Sequence, residues 1–298
     1  MLFEDDIRTY REQGYIVVPD VLTPEEVAGL RAATDQVVAG AAEVSDHSAV
    51  YDLEPGHRPE APKVRRINNP HAQHPAFGAM VRHPKIVACL NDLWGPNVRF
   101  DISKLNMKAP GYGSPVEWHQ DWAFYPHTND DLAAVGIMID DATPENGPML
   151  MLPGTHKGPV YDHRAGGYFV GGIDAVKAGL NFDNAQPCLG KAGSITIHHV
   201  RMVHGSAANT SDRPRRFMLL QYRAADAWPL LVPPTMNFAA YGDLLVSGEE
   251  TLEPRMEKCP VRLGFPYRPN QFSIYENQSE LENKYFASTA HPLVNAGR

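Results

Sequence analysis

The sequence predicts a mainly β protein with flanking helices: a double-stranded β-helix, or jelly-roll, core with N-terminal helices packed on one face. Three observations predict it. Helix signals are confined to the early chain; from Val98 the apolar rhythm changes to period two in short runs separated by Gly/Pro turns; and beyond Trp228 the chain becomes rich in proline. One domain of three parts follows, with a mainly helical part over 1–97, the jelly-roll core over 98–223 and an irregular covering segment over 224–298.

The elements can be justified in order. Thr23-Pro24-Glu25-Glu26 carries a capping hydroxyl, Pro at the first helical position and Glu three residues after the cap, and Leu22 with Val27 is spaced as a hydrophobic staple. Val27, Leu30, Val37 and Val38 give that helix an apolar face. A second helix runs from Pro84 to Trp94, with Ile86, Val87, Leu90, Leu93 and Trp94 inward, and Gly95-Pro96 ends it. Val98, Phe100 and Ile102 then alternate with Arg99, Asp101 and Ser103, which is a strand. Further strands are expected over 133–140, 149–152, 194–198 and 217–223, each bounded by turn residues such as Asn146-Gly147-Pro148. From Trp228 the prolines (Pro229, Pro233, Pro234, Pro254, Pro260, Pro266, Pro269) forbid central strands.

Composition excludes several functions. Charged residues are 21% and hydrophobic residues 43%, so the chain has a core and is not a disordered tail. No apolar run approaches the ~20 residues of a membrane helix, and the acidic start Met-Leu-Phe-Glu-Asp-Asp is unlike a signal peptide; a cytoplasmic protein without a membrane partner is expected. A net charge of −8 without a Lys/Arg block argues against nucleic acid. Cys89, Cys188 and Cys259 are widely spaced and form no CxxC, so they are expected in the core. The partner left is a small-molecule substrate, with self-association of the chain left open.

Among 13 histidines, His119-Gln120-Asp121 is set apart because residues two apart in extended chain point to one side, so that an imidazole and a carboxylate converge. His-x-Asp needs a third ligand, and His204, after a late apolar strand, can supply it if the barrel brings the strands together. Two His and one carboxylate on one face leave coordination positions open, as in non-haem Fe(II) oxygenases. Arg215 opens the next strand and offers a fork suited to a carboxylate.

These features, with Gly14-Tyr15-Ile16-Val17-Val18, Leu152-Pro153-Gly154-Thr155-His156-Lys157 and His204-Gly205-Ser206, resemble the phytanoyl-CoA dioxygenase family of Fe(II)- and 2-oxoglutarate-dependent oxygenases. The resemblance implies Fe(II) on His119, Asp121 and His204, with 2-oxoglutarate and O2 as co-substrates. It implies Arg215 as the partner of the distal carboxylate of 2-oxoglutarate, Ser206 as a further donor, and Arg66, with Arg65 as an alternative, near the co-substrate. Related halogenases replace the carboxylate ligand with a small residue; Asp121 keeps it, which favours hydroxylation of an unactivated C–H bond with release of succinate and CO2. Where well-known members carry an aromatic in the strand after His-x-Asp, this chain has Ile137. Trp122, Phe124 and Tyr125, directly after the motif, are expected with Ile137 around the substrate.

The remaining candidates receive plainer readings. His198 and His199 face opposite ways and pack or support the ligands. His156 fastens a turn, 128–131 is a solvated turn, and Arg213 and Arg216 are surface charges. The Gly-rich run from Arg164 to Gly172, within a lid over 161–183, reads as a mobile flap. The rival function is a jelly-roll metal protein without oxygenase activity, either a Zn hydrolase or a binding or scaffold protein. A buried Arg215 discriminates, since a hydrolase has no use for a cation placed to receive a dicarboxylate.

Overall fold

The computed structural model describes residues 1–111, 113–231, 237–269 and 273–286. Its strands are β1 (Tyr15–Val18), β2 (Tyr51–Leu53), β3 (Val64–Asn68), β4 (Val98–Lys108), β5 (Val116–His119), β6 (Leu132–Met138) and β7 (Met149–Met151), followed by β8 (Arg164–Ala165), β9 (Tyr168–Phe169), β10 (Gln186–Pro187), β11 (Ile195–His199), β12 (His204–Ser206), β13 (Arg215–Ala224) and β14 (Leu245–Ser247). The helices are α1 (Glu4–Gln13), α2 (Pro24–Ala39), α3 (Pro70–Gln73), α4 (Pro75–Met80), α5 (Pro84–Trp94), α6 (Phe238–Gly242) and α7 (Ile274–Gln278). A large sheet runs β1-β11-β6-β13-β4-β3-β2, with β14 added on β4, and faces a small sheet ordered β10-β7-β12-β5. Two facing antiparallel sheets of this kind make the expected jelly roll.

The helices form where their caps predict. Thr23 and Glu26 exchange the reciprocal cap bonds at the start of α2, and Gly95, at φ 90, ends α5. Leu30, Phe77, Ile86 and Leu90 of the helices bury against Ile67, Leu105, Ile137, Ile197, Met218 and Tyr222 on the outer face of the large sheet. Burying a side chain of this size stabilises the fold by about 1.5–3 kcal/mol each, so this face is fixed and the opposite one is free to carry chemistry. No helix among the described residues is long and apolar enough to cross a membrane.

The mainly helical part over 1–97 also holds three strands, because β1, β2 and β3 all join the large sheet; Tyr15–Val18 pairs along β11, a run too short for its period to be read from sequence. Two expectations are corrected. Residues 128–131 are not a solvated turn: Asn129 is fully buried, Arg201 donates to Asp130 at 2.7 Å and Arg255 pairs with Asp131. The alternation of β4 breaks after Phe100. Phe100 pairs with Tyr222 and Ser103 with Leu220, so two residues of β4 stand against one of β13. That bulge exchanges the faces: Ser103, Leu105 and Met107 take the buried outer face, whereas Ile102, Lys104 and Asn106 face the space between the sheets.

The 164–172 run folds as the β8–β9 hairpin, with Phe169 packed edge-on against Phe124 and Tyr267. In the covering segment β14 is a strand, paired along β4, while Pro233 and Pro234 lie outside the described residues. Cys89 and Cys188 are buried, and Cys259 is half-buried.

Candidate active site

The cavity between the sheets is built around a strand pairing. His204 of β12 lies directly opposite His119 of β5, and the ring centroids are 4.1 Å apart. Gln120 continues the extended chain at φ −119 and ψ 128, so Asp121, opening a 3-10 turn, returns to the side of His119. One ligand atom from each of His119, Asp121 and His204 lies within 4.8 Å of the others, and all three residues are buried. Gln120 points the other way and is saturated: it donates to the carbonyls of Pro159 and Arg201 and accepts from the Tyr161 amide, which fixes the next loop against the motif.

The tautomers are set by the backbone. Nδ1 of His119 donates to the Glu117 carbonyl at 2.9 Å and Nδ1 of His204 to the Met202 carbonyl at 3.0 Å, so each Nε2 keeps a free lone pair aimed into the cluster. Burial lowers His119 to about 4 against the opposing pull of Asp121, and burial together with the neighbouring imidazoles lowers His204 well below its ordinary value, so both are neutral near pH 7. Burial opposes ionisation of Asp121, but His198, His204, Lys104 and His119 outweigh it and hold the carboxyl well below its usual range. His198 is fully buried with Nε2 3.7 Å from Asp121, and neither ring nitrogen has a full hydrogen bond. Two neutral imidazoles, one carboxylate and an unsatisfied buried neighbour fit a divalent ion with open coordination positions.

Arg215 enters the same cavity from β13. It is buried, donates to the Gly147 carbonyl at 2.9 Å and leaves Nε without a partner. Desolvation lowers its pKa to about 10, offset only in part by Tyr275 and Asp140, and no carboxylate reaches it within 4 Å among the described residues. Ser206 and Arg66 also line this cavity. Arg66 donates to Asn106 at 2.9 Å and lies 3.6 Å from Asp52, while Arg65 is taken by Glu276 and Ser273. Between the two alternatives, the structure places Arg66 in the cavity.

Of the four residues expected around the substrate, the structure brings one to the cavity wall and one beside it. Phe124 lines the wall, and the left-handed Gly171, at φ 69, approaches so closely that a Cβ there would come within 2.4 Å of its ring. Tyr125 packs beside Lys104, whose ammonium is 6.0 Å from the ring centre. Trp122 and Ile137 are corrections. Trp122 is fully buried in a small core with Leu132 and Val200, its indole donating to the Pro260 carbonyl at 2.8 Å. Ile137 faces the helices, because on β6 it is Ala134 that reaches the cavity and Ile137 is out of phase with it. Arg216, across the strand from Arg215, is tied at 2.8 Å to Asp140 and does not enter. His156 fastens its turn by a 3.2 Å contact to the Arg11 carbonyl.

Sequence reasoning missed Lys104, Asn106 and Gln221, which line the cavity from β4 and β13. Their signal is polar residues on the inward phase of strands that are apolar on the other side; for Lys104 and Asn106 it is readable only once the bulge is known.

The comparisons with known proteins agree with this geometry. A family model described as "Phytanoyl-CoA dioxygenase (PhyH)" matches residues 10–217. A probable alpha-ketoglutarate-dependent hypophosphite dioxygenase of Stutzerimonas stutzeri is 40% identical over 289 residues, covering 96% of this chain and all of the relative. An ectoine dioxygenase of Bordetella parapertussis is 26% identical over 281 residues, covering 89% and 84%. Among solved structures, the non-heme alpha ketoglutarate dependent carbocyclase SnoK from nogalamycin biosynthesis superposes with a TM-score of 0.62 at 26% identity, covering 85% of this chain and 94% of that one. The rival reading, a jelly-roll metal protein without oxygenase activity, is not favoured by these relatives.

Proposed function

This chain belongs to the phytanoyl-CoA dioxygenase family and is a dioxygenase dependent on Fe(II), 2-oxoglutarate and O2; we propose that His119, Asp121 and His204 hold its iron, that Arg215 with Ser206 holds the distal carboxylate of 2-oxoglutarate, and that the substrate is a small phosphorus oxyanion, hypophosphite first. The observation that carries the site assignment is Arg215: a buried guanidinium without a carboxylate partner in the cavity that holds the His-Asp-His cluster. The hypophosphite proposal rests on the relative that matches over its whole length at 40% identity.

When bound, the iron and 2-oxoglutarate supply the oxidising power: one oxygen atom of O2 leaves in succinate, CO2 is released, and the other atom is inserted into an X–H bond of the substrate. The residues of the chain supply placement. The Glu117 and Met202 carbonyls hold both imidazoles with Nε2 inward, and Arg215 would hold the far carboxylate of the co-substrate. Phe124 lines the cavity and is backed by Phe169 and Gly171, a wall that would limit water at the reacting atoms.

The test is reconstitution with Fe(II) and 2-oxoglutarate, with succinate and oxidised product followed for hypophosphite, ectoine and L-proline. Hypophosphite-dependent succinate release with an equal yield of phosphite is expected. Turnover of ectoine or L-proline instead would keep the oxygenase and overturn the phosphorus substrate; no succinate with any substrate or alone, in protein that has bound iron, would overturn the co-substrate assignment.

A further inference from the structure

Lys104 has no role in the chemistry described so far. It projects from β4 into the cavity, and among the described residues nothing forms a hydrogen bond or an ion pair with its ammonium. Around it stand two further donors without acceptors. Gln221 is buried on β13 with Nε2 unpartnered, and the buried Tyr125 hydroxyl, close to both Gln221 and Asp121, lacks a formed hydrogen bond. An unmade hydrogen bond on a buried donor costs about 1–3 kcal/mol, so the Gln221 amide and the Tyr125 hydroxyl, beside the unpaired ammonium of the half-buried Lys104, call for an acceptor from outside the chain.

That acceptor is not the co-substrate. Leu219 stands opposite Lys104 and Arg215 opposite Lys108, so the two levels are four residues apart on β4, about 13 Å along the strand. The charges give the same answer. A divalent ion and Arg215 together offset Asp121 and the two carboxylates of 2-oxoglutarate, and Arg66 is answered by Asp52 at 3.6 Å. Lys108 lies behind this lining and donates to the Ser206 and Ala207 carbonyls. Among the described cations that line the cavity, Lys104 is the one left over.

We infer that Lys104, Gln221 and Tyr125 form an oxyanion subsite that binds the substrate by a compact, singly charged group with at least two acceptor oxygens, on the Asp121 side of the metal cluster. This rests on the dioxygenase reading and deepens it by naming the chemical class of the substrate. A phosphinate, a phosphonate monoanion and a carboxylate share this chemistry. The subsite makes Lys104 a specificity-determining residue, whereas the neighbouring Phe124 sets only shape.

The test measures binding, without turnover. Protein loaded with Fe(II) and 2-oxoglutarate in the absence of O2 is titrated with hypophosphite, methylphosphonate and acetate, followed by calorimetry and by the charge-transfer absorption of the Fe(II)–2-oxoglutarate pair. Wild type should bind at least one of the three; Lys104→Met should weaken that binding roughly tenfold or more and Gln221→Leu by a smaller factor, since a charged hydrogen bond is worth about twice a neutral one. Lys104→Arg should keep most of the binding. The absorption band and the melting temperature of each variant should match wild type, which shows that the metal site and the fold are intact. Unchanged anion binding in Lys104→Met, or no binding of any of the three to wild type, overturns the subsite. Loss of the absorption band in Lys104→Met overturns it too, since Lys104 would then serve the metal site. Lys104-dependent binding of acetate alone keeps the subsite and defeats the phosphorus reading, whereas hypophosphite oxidation that ignores Lys104 does the reverse.

Discussion

At the Arg215 end of the cavity the cation is held by the chain itself: the guanidinium donates to the Gly147 carbonyl at 2.9 Å, and Lys108 across the strand pair donates to Ser206 and Ala207. At the Lys104 end the ammonium, the Gln221 amide and the Tyr125 hydroxyl donate to nothing among the described residues. On the proposed assignment, the difference follows from what each end would recognise. A co-substrate that is the same in every turnover can be met by a preorganised fork, whose order is secured before the ligand arrives. A substrate that differs between relatives is met by donors that only the right ligand satisfies, and a wrong one leaves them unpaired. Both ends open on the cavity that the cluster lines, and each can be broken separately.

The largest effect is expected at the centre. His119→Ala, Asp121→Ala or His204→Ala should remove stable Fe(II) binding and with it succinate release at both ends' expense, because two remaining protein ligands hold the ion poorly. Metal content after dialysis and turnover under saturating 2-oxoglutarate measure it. A variant that kept one iron and normal turnover would remove its residue from the ligand set. Chelation of wild type should act alike and be reversed by Fe(II).

Next comes the Arg215 end. Arg215→Lys keeps the charge but loses the fork, and the apparent affinity for 2-oxoglutarate should fall by about ten- to a hundredfold, the worth of one or two charged hydrogen bonds. Affinity for the substrate anion, measured with saturating 2-oxoglutarate, should hardly move. Lys104→Met should give the mirror image. If each variant weakened both ligands equally, the two ends would not be independent and the comparison would fail.

How much of this was legible in the sequence follows the same division. His119, Asp121, His204 and Arg215 could be read because each is placed by a local rule: alternation over three residues, or the start of a strand after a turn. The helix at Thr23 could be read from its cap. Lys104 could not, because the bulge between Phe100 and Ser103 reverses the faces of β4, and simple alternation from Val98 would send Lys104 toward the helices. The same limit explains Ile137, whose phase on β6 turns it to the helices, and Trp122, whose partner Pro260 is far away in sequence. The burial of Asn129 and the pairing of Asp130 and Asp131 were hidden because their partners, Arg201 and Arg255 among them, come from distant segments.

Acid should affect the centre and its surroundings before it affects either end. Burial lowers His119 and His127 to about 4, and His163 and His199 to about 3, from 6.5. Below pH 6.5 the unfolded chain takes up protons on these imidazoles while the folded chain does not, so unfolding binds protons and stability falls as pH drops through that window. Above it the contribution is fully present. The metal-free protein should lose up to about 1.4 kcal/mol per pH unit for each imidazole still neutral in the folded state. Denaturant midpoints across this range measure it, and a flat profile would mean that these imidazoles are not held neutral by the fold.

The smallest effect is expected at Phe124, and it sharpens the comparison most. Its ring lines the cavity beside the cluster, 6.3 Å from His119, and packs on Phe169 of the β8–β9 hairpin, yet it donates nothing to either end. Phe124→Ala should therefore leave the affinity for iron and 2-oxoglutarate within a factor of about two, since no ligand or charged bond is removed. What it removes is the wall that excludes water and holds the substrate in place, and a misplaced substrate spends the oxidant without being oxidised. Succinate release per oxidised product should then rise above one, with substrate affinity reduced a few-fold. Equal loss of iron, 2-oxoglutarate and substrate would instead make Phe124 a core residue whose removal damages the barrel, and the mouth of the site would have to be sought between Tyr267 and the β8–β9 hairpin alone.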